Sequence, residues 1–475
     1  MKKNSLRFLL VLFILFALFI LFNQFDMKLP PNSYTEKDLE PTIFDKSNGF
    51  YLVFALSEPP GVDIYSDEII NKYRRLFDAR LGDNDRFRFQ WDQMAYRKRF
   101  RQYLKKARFI NQKKTDWVTF IKSRKREILE LKTHFSFLLE RWEKLLACEI
   151  VSDFSTPFFV HHPSYPQEYY YPYPGKTALL TITRLYTSLK ILEIREGNTG
   201  GIQGILDQIS LAKKLIKSAR TSYTNFLGKI ILCLSLEALN SLMNWVDCPR
   251  EIFSRVFKGL MPLKYEEFGS RKAFIGYYLT VKDWIENKLE SVKRHAIGEV
   301  GRLFLQKNRT KYYYFHYVLK CIEYEKKEPF KWPGNQLAAQ DLQKGSFWWL
   351  QNAVGKFIFS KDLKPDLQHD ILASYQTKAL YDLTRISAEF HLNYSHDQPV
   401  KEILSHLESY KTPDPYSGKP YIWNKKKAVL YSVGANRRDD GGVVDHSHQL
   451  EEEMLDIVIP CMLHRLSKAR KSETD

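Results

Sequence analysis

From Ser66 to about residue 393 apolar side chains recur every three or four positions, the spacing that gathers them on one face of an α-helix. Ser66, Asp67 and Glu68 suit the start of the first helix, where an oxygen-bearing side chain can accept from free backbone N–H groups. Within residues 121–150, Ile128, Leu131, Phe135, Leu138, Leu139 and Trp142 share one face and predict a single amphipathic helix. Further helices are predicted over about 176–195, 202–219, 223–245, 249–259, 265–290, 292–324, 336–358 and 366–393. Gly197-Asn-Thr-Gly-Gly201 and Trp332-Pro-Gly334 break the pattern between them. The expected body is a packed array of antiparallel helices without a fixed-length repeat. Its most apolar segment, Phe226–Val246, carries Lys229 and Glu237, which favours a buried core helix over a membrane span.

The ends of the chain follow other patterns. Phe8–Phe22 is unbroken apolar sequence, and a helix over Leu6–Phe25 would reach about 30 Å, enough for a bilayer core. Leu6, Phe8, Leu15, Phe22 and Phe25 are its expected membrane-spanning residues. Lys2, Lys3 and Arg7 precede it, so the positive-inside rule puts the N-terminus in the cytoplasm and the rest outside. No small-x-small cleavage site follows, which favours a signal anchor. Residues 28–62 are polar and proline-containing, as in a linker, except for Phe50–Leu56, which periodicity leaves open as strand or helix.

Near the C-terminus the period changes to that of short strands. Tyr421–Trp423 and Val429–Val433 flank a polar turn and predict a hairpin. Its second strand runs into Gly434, Asn436, Asp439, Asp440, Gly441 and Gly442, and Asp456 returns a carboxylate before a last short strand. Glycines allow a tight loop, and its oxygens suit a hard cation such as calcium. Asp439, Asp440 and Asp456 would supply carboxylates, with Ser432 and Asn436 completing the candidate metal set.

The stretches Asp414–Tyr421, Tyr431–Asn436, Asp439–Gly442 and Asp456–Ile457 stand in an order that resembles the C-terminal half of the major pseudopilin of type II secretion systems. The likeness reaches back to about Lys378–Leu392. It implies a small α+β module with a structural calcium ion. The opening Met1–Arg7 lacks the Gly-Phe junction and early glutamate of prepilins, so processing and polymerisation are not expected.

Composition adds charge. The chain carries +18, and Arg97–Arg126 holds many Lys and Arg against the one acid Asp116, a run suited to a solvated face or to anionic lipid heads. Five cysteines include no Cys-x-x-Cys; Cys148, Cys233 and Cys321 sit in apolar helical stretches, and a Cys248–Cys461 disulfide stays open. His161-His162 precede a proline-stiffened loop in which Tyr169, Tyr170, Tyr171 and Tyr173 are candidate partner contacts. Tyr312–His316 reads as core aromatics. Asp445, His446 and His448 with Glu451–Glu453 form a weaker metal candidate, and the pairs Glu389/His391 and His295/Glu299 have ordinary spacing. No serine-nucleophile elbow, phosphate loop, zinc-protease helix or dinucleotide fingerprint is present.

The chain is thus expected to be mainly α. Residues 1–27 would form the cytoplasmic tip and anchor, 28–62 a linker, 63–377 a helical body, 378–461 the pseudopilin-like module and 462–475 a polar tail. The expected function is that of a non-enzymatic envelope protein of a bacterial inner membrane, holding calcium and binding another protein or a surface polymer, with no nucleic-acid partner. The alternatives are an accessory part of a type II secretion or pilus-like system and a hydrolase of envelope polymer.

Overall fold

The computed structural model describes isolated positions between 11 and 21 and residues 28–30, 33–39, 47–77 (57 excepted), 104–111, 116–153 and 161–169 (163 and 164 excepted). It continues with 176–286 (284 excepted), 306–332, 367–394, 400–409, 412–442 and 456–461. The fold is mainly helical. Its principal helices are α1 (Phe50–Ala55), α2 (Asp67–Phe77), α3 (Trp117–Ser123), α4 (Lys125–His134), α5 (Ser136–Ala147), α6 (Lys176–Arg195) and α7 (Gly201–Ser218). They continue as α8 (Ser222–Met243), α9 (Arg250–Gly259), α10 (Arg271–Asp283), α11 (Lys307–Glu325), α12 (Leu367–Asn393) and α13 (Val400–Ser409). The predicted helix over 336–358 lies outside the described residues.

Phe50–Ala55 is a helix, and all six of its residues are buried, although the surrounding stretch reads as a linker. Asn48 anchors it by bonding Ser152 in both directions, at 2.8 and 2.9 Å. Arg141 then donates to the carbonyls of Pro59 (2.9 Å) and Val62 (3.0 Å), and also to that of Glu58, closing the following turn onto α5. These long-range bonds have no signature in local periodicity.

The single helix expected over 121–150 is three helices. The chain departs from α geometry at Arg124 (φ −125°) and Phe135 (φ −107°), bending the apolar face around the core so that Phe135 is fully buried. Neither break involves Gly or Pro, which is why the sequence conceals it. The predicted helix over 265–290 is likewise shorter: a 3₁₀ turn at Tyr265–Glu267 precedes α10.

At the centre, α7 and α8 cross closely. A side chain at Gly228 would come within 2.7 Å of Ile216 and 3.0 Å of the Ala212 carbonyl, so the approach requires glycine. Helix α8 is long and apolar enough to cross a membrane by length and composition, yet 72% of its most apolar window is buried inside the protein. Burial of this kind accounts for an apolar helix without invoking lipid.

Two apolar cores meet along α12. Its Tyr381 and Ala388 join the core formed by α1 to α9, whereas Leu367, Ile371, Tyr375, Ala379, Leu383, Ile386 and Phe390 face the second core with α10 and α11. Helix α12 runs unbroken through residues 377 and 378. A three-stranded antiparallel sheet, β3 (Ile422–Asn424), β4 (Val429–Ser432) and β5 (Ile457–Pro460), covers this second core with β4 central. Trp423 pairs with Leu430, which pairs with Ile459, and all three are buried against α12 and its neighbours. The expected hairpin and closing strand are therefore both present. All five cysteines are free.

Candidate functional site

Helix, turn and sheet bring two charged assemblies into being, one at the surface and one inside. The surface assembly begins at Asp414, which is buried at 1% exposure. Its carboxylate accepts from the Ser432 hydroxyl (2.7 Å), the Ser417 hydroxyl (2.9 Å), the Tyr416 N–H (3.0 Å) and the Val433 N–H (3.3 Å). It thereby ties the turn before β3 to the end of β4. Ser432, expected among metal donors, spends its hydroxyl here.

Beyond β4 the chain needs positive φ at Gly434, Arg437, Gly441 and Gly442. Gly442 also lies where a side chain would meet Val429 at 2.9 Å. Within the loop, Asp439 accepts from the Tyr431 hydroxyl and from the Gly441 N–H, each at 2.8 Å. Asn436 donates to Asp440 at 2.8 Å. Asp456 accepts from the Gly442 N–H at 2.8 Å and, more weakly, from the Asp440 N–H at 3.4 Å. Lys427 places its ammonium 2.7 Å from the Gly441 carbonyl, so one loop oxygen already holds a cation.

Burial first, then the charges of Asp440 and Asp439, push the Asp456 carboxyl above the usual carboxylate range, against the opposing pull of the two N–H donors. The carboxylates of Asp439, Asp440 and Asp456 are thus close enough to act on one another, in a loop that also carries Arg437 and Arg438. Asn436, Asp439, Asp440 and Asp456 come together, and their hard oxygen donors fit a calcium-like ion in type. Many of those oxygens serve the loop itself, and among the described residues no three His, Cys, Asp or Glu converge as a metal group.

The interior assembly surrounds Lys229 of α8. Its ammonium donates to Ser374 Oγ (2.7 Å), Ser270 Oγ (2.9 Å) and the Asp370 carbonyl (3.2 Å). Those three acceptors match the three N–H bonds of an ammonium. Glu325, at the end of α11, accepts from the Tyr265 hydroxyl (2.6 Å), the Ser270 N–H (2.7 Å) and the Ser374 hydroxyl (3.0 Å). The two serines thus bridge cation and anion. Burial lowers the Lys229 pKa and raises that of Glu325, while each charge pulls the other's back. A Ser–Lys pair can serve as nucleophile and base. Here Ser374 is at 0% exposure and its hydroxyl has the Glu325 carboxylate and the Asp370 carbonyl as acceptors, each at 3.0 Å, an arrangement that fastens α8, α10, α11 and α12 together.

The sequence exposes Lys229 as a charge in an apolar helix but gives no sign of its partner, which lies far away in the chain. A smaller assembly repeats the theme: Lys378 donates to Asp382 at 2.6 Å, and Tyr421 donates to the same carboxylate at 3.1 Å, pinning the strand region to α12.

The remaining candidates are placed as follows. His161–His162 forms β1, antiparallel to β2 (Tyr165–Tyr169), with Tyr169 opposite His161. Tyr170, Tyr171 and Tyr173 lie outside the described residues, as do Leu6, Phe8, Leu15, Phe22, Phe25, Asp445, His446, His448, Glu451–Glu453, His295 and Glu299. Tyr313, Tyr314 and Phe315 are core residues. Glu389 pairs with His406 at 3.3 Å rather than with His391, whose ring stacks on Phe253.

Comparison with protein-family models, curated proteins and solved structures found no match for the chain. What the geometry itself defines is a helical protein with neutralised charge inside and crowded acid at one loop.

Proposed function

We propose that the protein is a membrane-anchored extracytoplasmic binding protein whose helical body engages an envelope protein or surface polymer. In this reading the N-terminal apolar helix enters the bilayer of a bacterial inner membrane. The C-terminal sheet and loop act as a pseudopilin-like module, and calcium held by Asp439, Asp440 and Asp456 draws those carboxylates together.

The observation that supports the reading is that the described apolar positions Val11, Phe13, Ile14 and Leu21 are all exposed, Phe13 at 69%. A contiguous exposed apolar surface marks a membrane or protein contact. The four exposed positions fall within an apolar stretch of sequence of spanning length.

Washing membranes from expressing cells with alkaline carbonate tests the anchor. The full chain should stay in the pellet, and a Leu15→Arg/Ile14→Arg variant should be released or fail to insert, since each charge at a helix centre costs about 3 kcal/mol. Release of the unaltered chain would overturn the reading.

A further inference from the structure

We infer that a cleft beside the start of α10 binds a phosphate-type oxyanion. The cleft, of about 220 Å³, lies between the end of α7, the 3₁₀ turn before α10, the first residues of α10 and the residue after α11. Its lining includes the cationic Lys217, Arg271, Lys272 and Lys326 against a single carboxylate, Glu266. The neighbouring Glu267 is spent elsewhere, accepting from Lys213 at 2.8 Å and from the Lys264 N–H at 2.9 Å. Among the described residues Lys217, Arg271 and Lys326 form no ion pair.

A larger cleft offers the contrast. It is lined by Lys125, Arg126 and Glu130, but Lys125 pairs with Glu196 at 2.8 Å and Arg126 with Glu130 at 3.0 Å. Cations there are answered by neighbouring carboxylates. Lys217, Arg271 and Lys326 at the smaller cleft have no such pairing among the described residues.

The placement of Arg271 and Lys272 sharpens the point. They occupy the first turn of α10, which contains no acidic residue. A helix start carries partial positive charge and favours anions, so the Arg271 cation there repels it until an anion arrives. Tyr265 closes one side of the cleft. Its hydroxyl is committed to Glu325, and burial followed by the Glu325 charge raises its pKa far above the ordinary phenol value, so it brings no competing negative charge.

Ligand class follows from size and charge. A volume near 220 Å³ is below the range of about 300–1,000 Å³ common for drug-sized ligands, and suits a head group. Several converging cations exceed what one carboxylate needs, whereas phosphate offers more charge and acceptor oxygens, which the Arg271 fork can bind in a bidentate manner. The source is either a free or polymer-borne phosphate or a phospholipid head.

The test is calorimetric titration of the full chain in phosphatidylcholine nanodiscs at constant ionic strength. One arm uses inorganic phosphate and the other short-chain phosphatidylglycerol below its micellar concentration. Saturable binding in either arm, weakened at least tenfold by Arg271→Ala/Lys326→Ala and strengthened by Glu266→Gln, is the expected result. Tighter binding of the lipid assigns a headgroup, and tighter binding of phosphate assigns the free or polymer-borne group. The Lys125→Ala/Arg126→Ala variant should bind as the parent does, and a calcium chelator should leave binding unchanged because the acidic loop is a separate site. Absence of saturable binding in both arms, or equal weakening by Lys125→Ala/Arg126→Ala, would overturn the inference.

Discussion

The Lys229–Glu325 assembly and the Asp439–Asp456 loop handle charge in opposite ways. Inside, one cation and one anion are bridged by the Ser374 hydroxyl and by Ser270, whose hydroxyl accepts from Lys229 and whose N–H donates to Glu325, and every strong donor of the lysine has an acceptor. At the loop, three carboxylates gather with one lysine at a carbonyl, and burial, with the charges of Asp440 and Asp439 adding to it, holds the Asp456 carboxyl above its usual range. The interior pair answers its own charge, so removing either member leaves the other stranded. The loop sets three carboxylates near one another, so its stability should depend on what the solvent supplies.

The largest effect is therefore expected in the interior. Lys229→Met alone should cost about 3–5 kcal/mol, the penalty typical of leaving one buried charge without its partner. Glu325→Gln alone should fall in the same range. The combined variant should cost clearly less than the two together, because it strands neither charge. Urea unfolding of the three variants measures this coupling, and strict additivity would show that the serines, not the ion pair, organise the site.

His391 extends the comparison to an interior group with no charged partner among the described residues. Its ring is 7% exposed and stacks on Phe253 with centroids 4.6 Å apart. Burial pushes its pKa down to about 4. Because the folded pKa lies below the unfolded value near 6.5, the neutral form is favoured by folding. Stability from this residue is complete above about pH 6.5 and drains as pH falls towards 4, by roughly 3 kcal/mol across that window. His391→Leu should flatten the slope in thermal unfolding scans between pH 7 and 4. An unchanged slope would assign the acid sensitivity elsewhere.

Much of this architecture is legible in the sequence, and the illegible parts share a cause. Helices α6 to α9 and the β3–β4 hairpin follow from apolar spacing, because each buries a face set by its own local period. Phe50–Ala55 resisted assignment since a run apolar on all sides has no period to read. The breaks at Arg124 and Phe135 escaped because core curvature, not a breaker residue, imposes them. Asp414 reads as a turn residue, yet its role depends on Ser432 and Val433 brought back by the hairpin. Glu325 looks like an ordinary helix-end acid until the fold sets it beside Ser270 and Ser374.

At the loop the expected effects are smaller and depend on solution conditions. Calcium at a hundred times its Kd should stabilise the fold by about 2.7 kcal/mol if it binds only the folded loop. Differential scanning calorimetry with calcium and then with chelator measures the shift. Asp439→Asn/Asp440→Asn should abolish it by removing two of three carboxylates. A shift that survives the double substitution would place the ion elsewhere.

The smallest effect is the most diagnostic in sign. Without calcium, Asp440→Asn should change stability by less than about 0.5 kcal/mol, or raise it slightly, as substitutions near the surface usually do little. The amide oxygen can still accept from Asn436, which now donates to Asp440 at 2.8 Å. What disappears is repulsion with Asp456, one cause of its raised pKa. Neutralising Glu325 by the same acid-to-amide change destabilises, because Lys229 then loses its counter-charge. If Asp440→Asn without calcium were as costly as Glu325→Gln, the loop would also be an internally answered assembly, and Lys427 at the Gly441 carbonyl would be the cation that answers it.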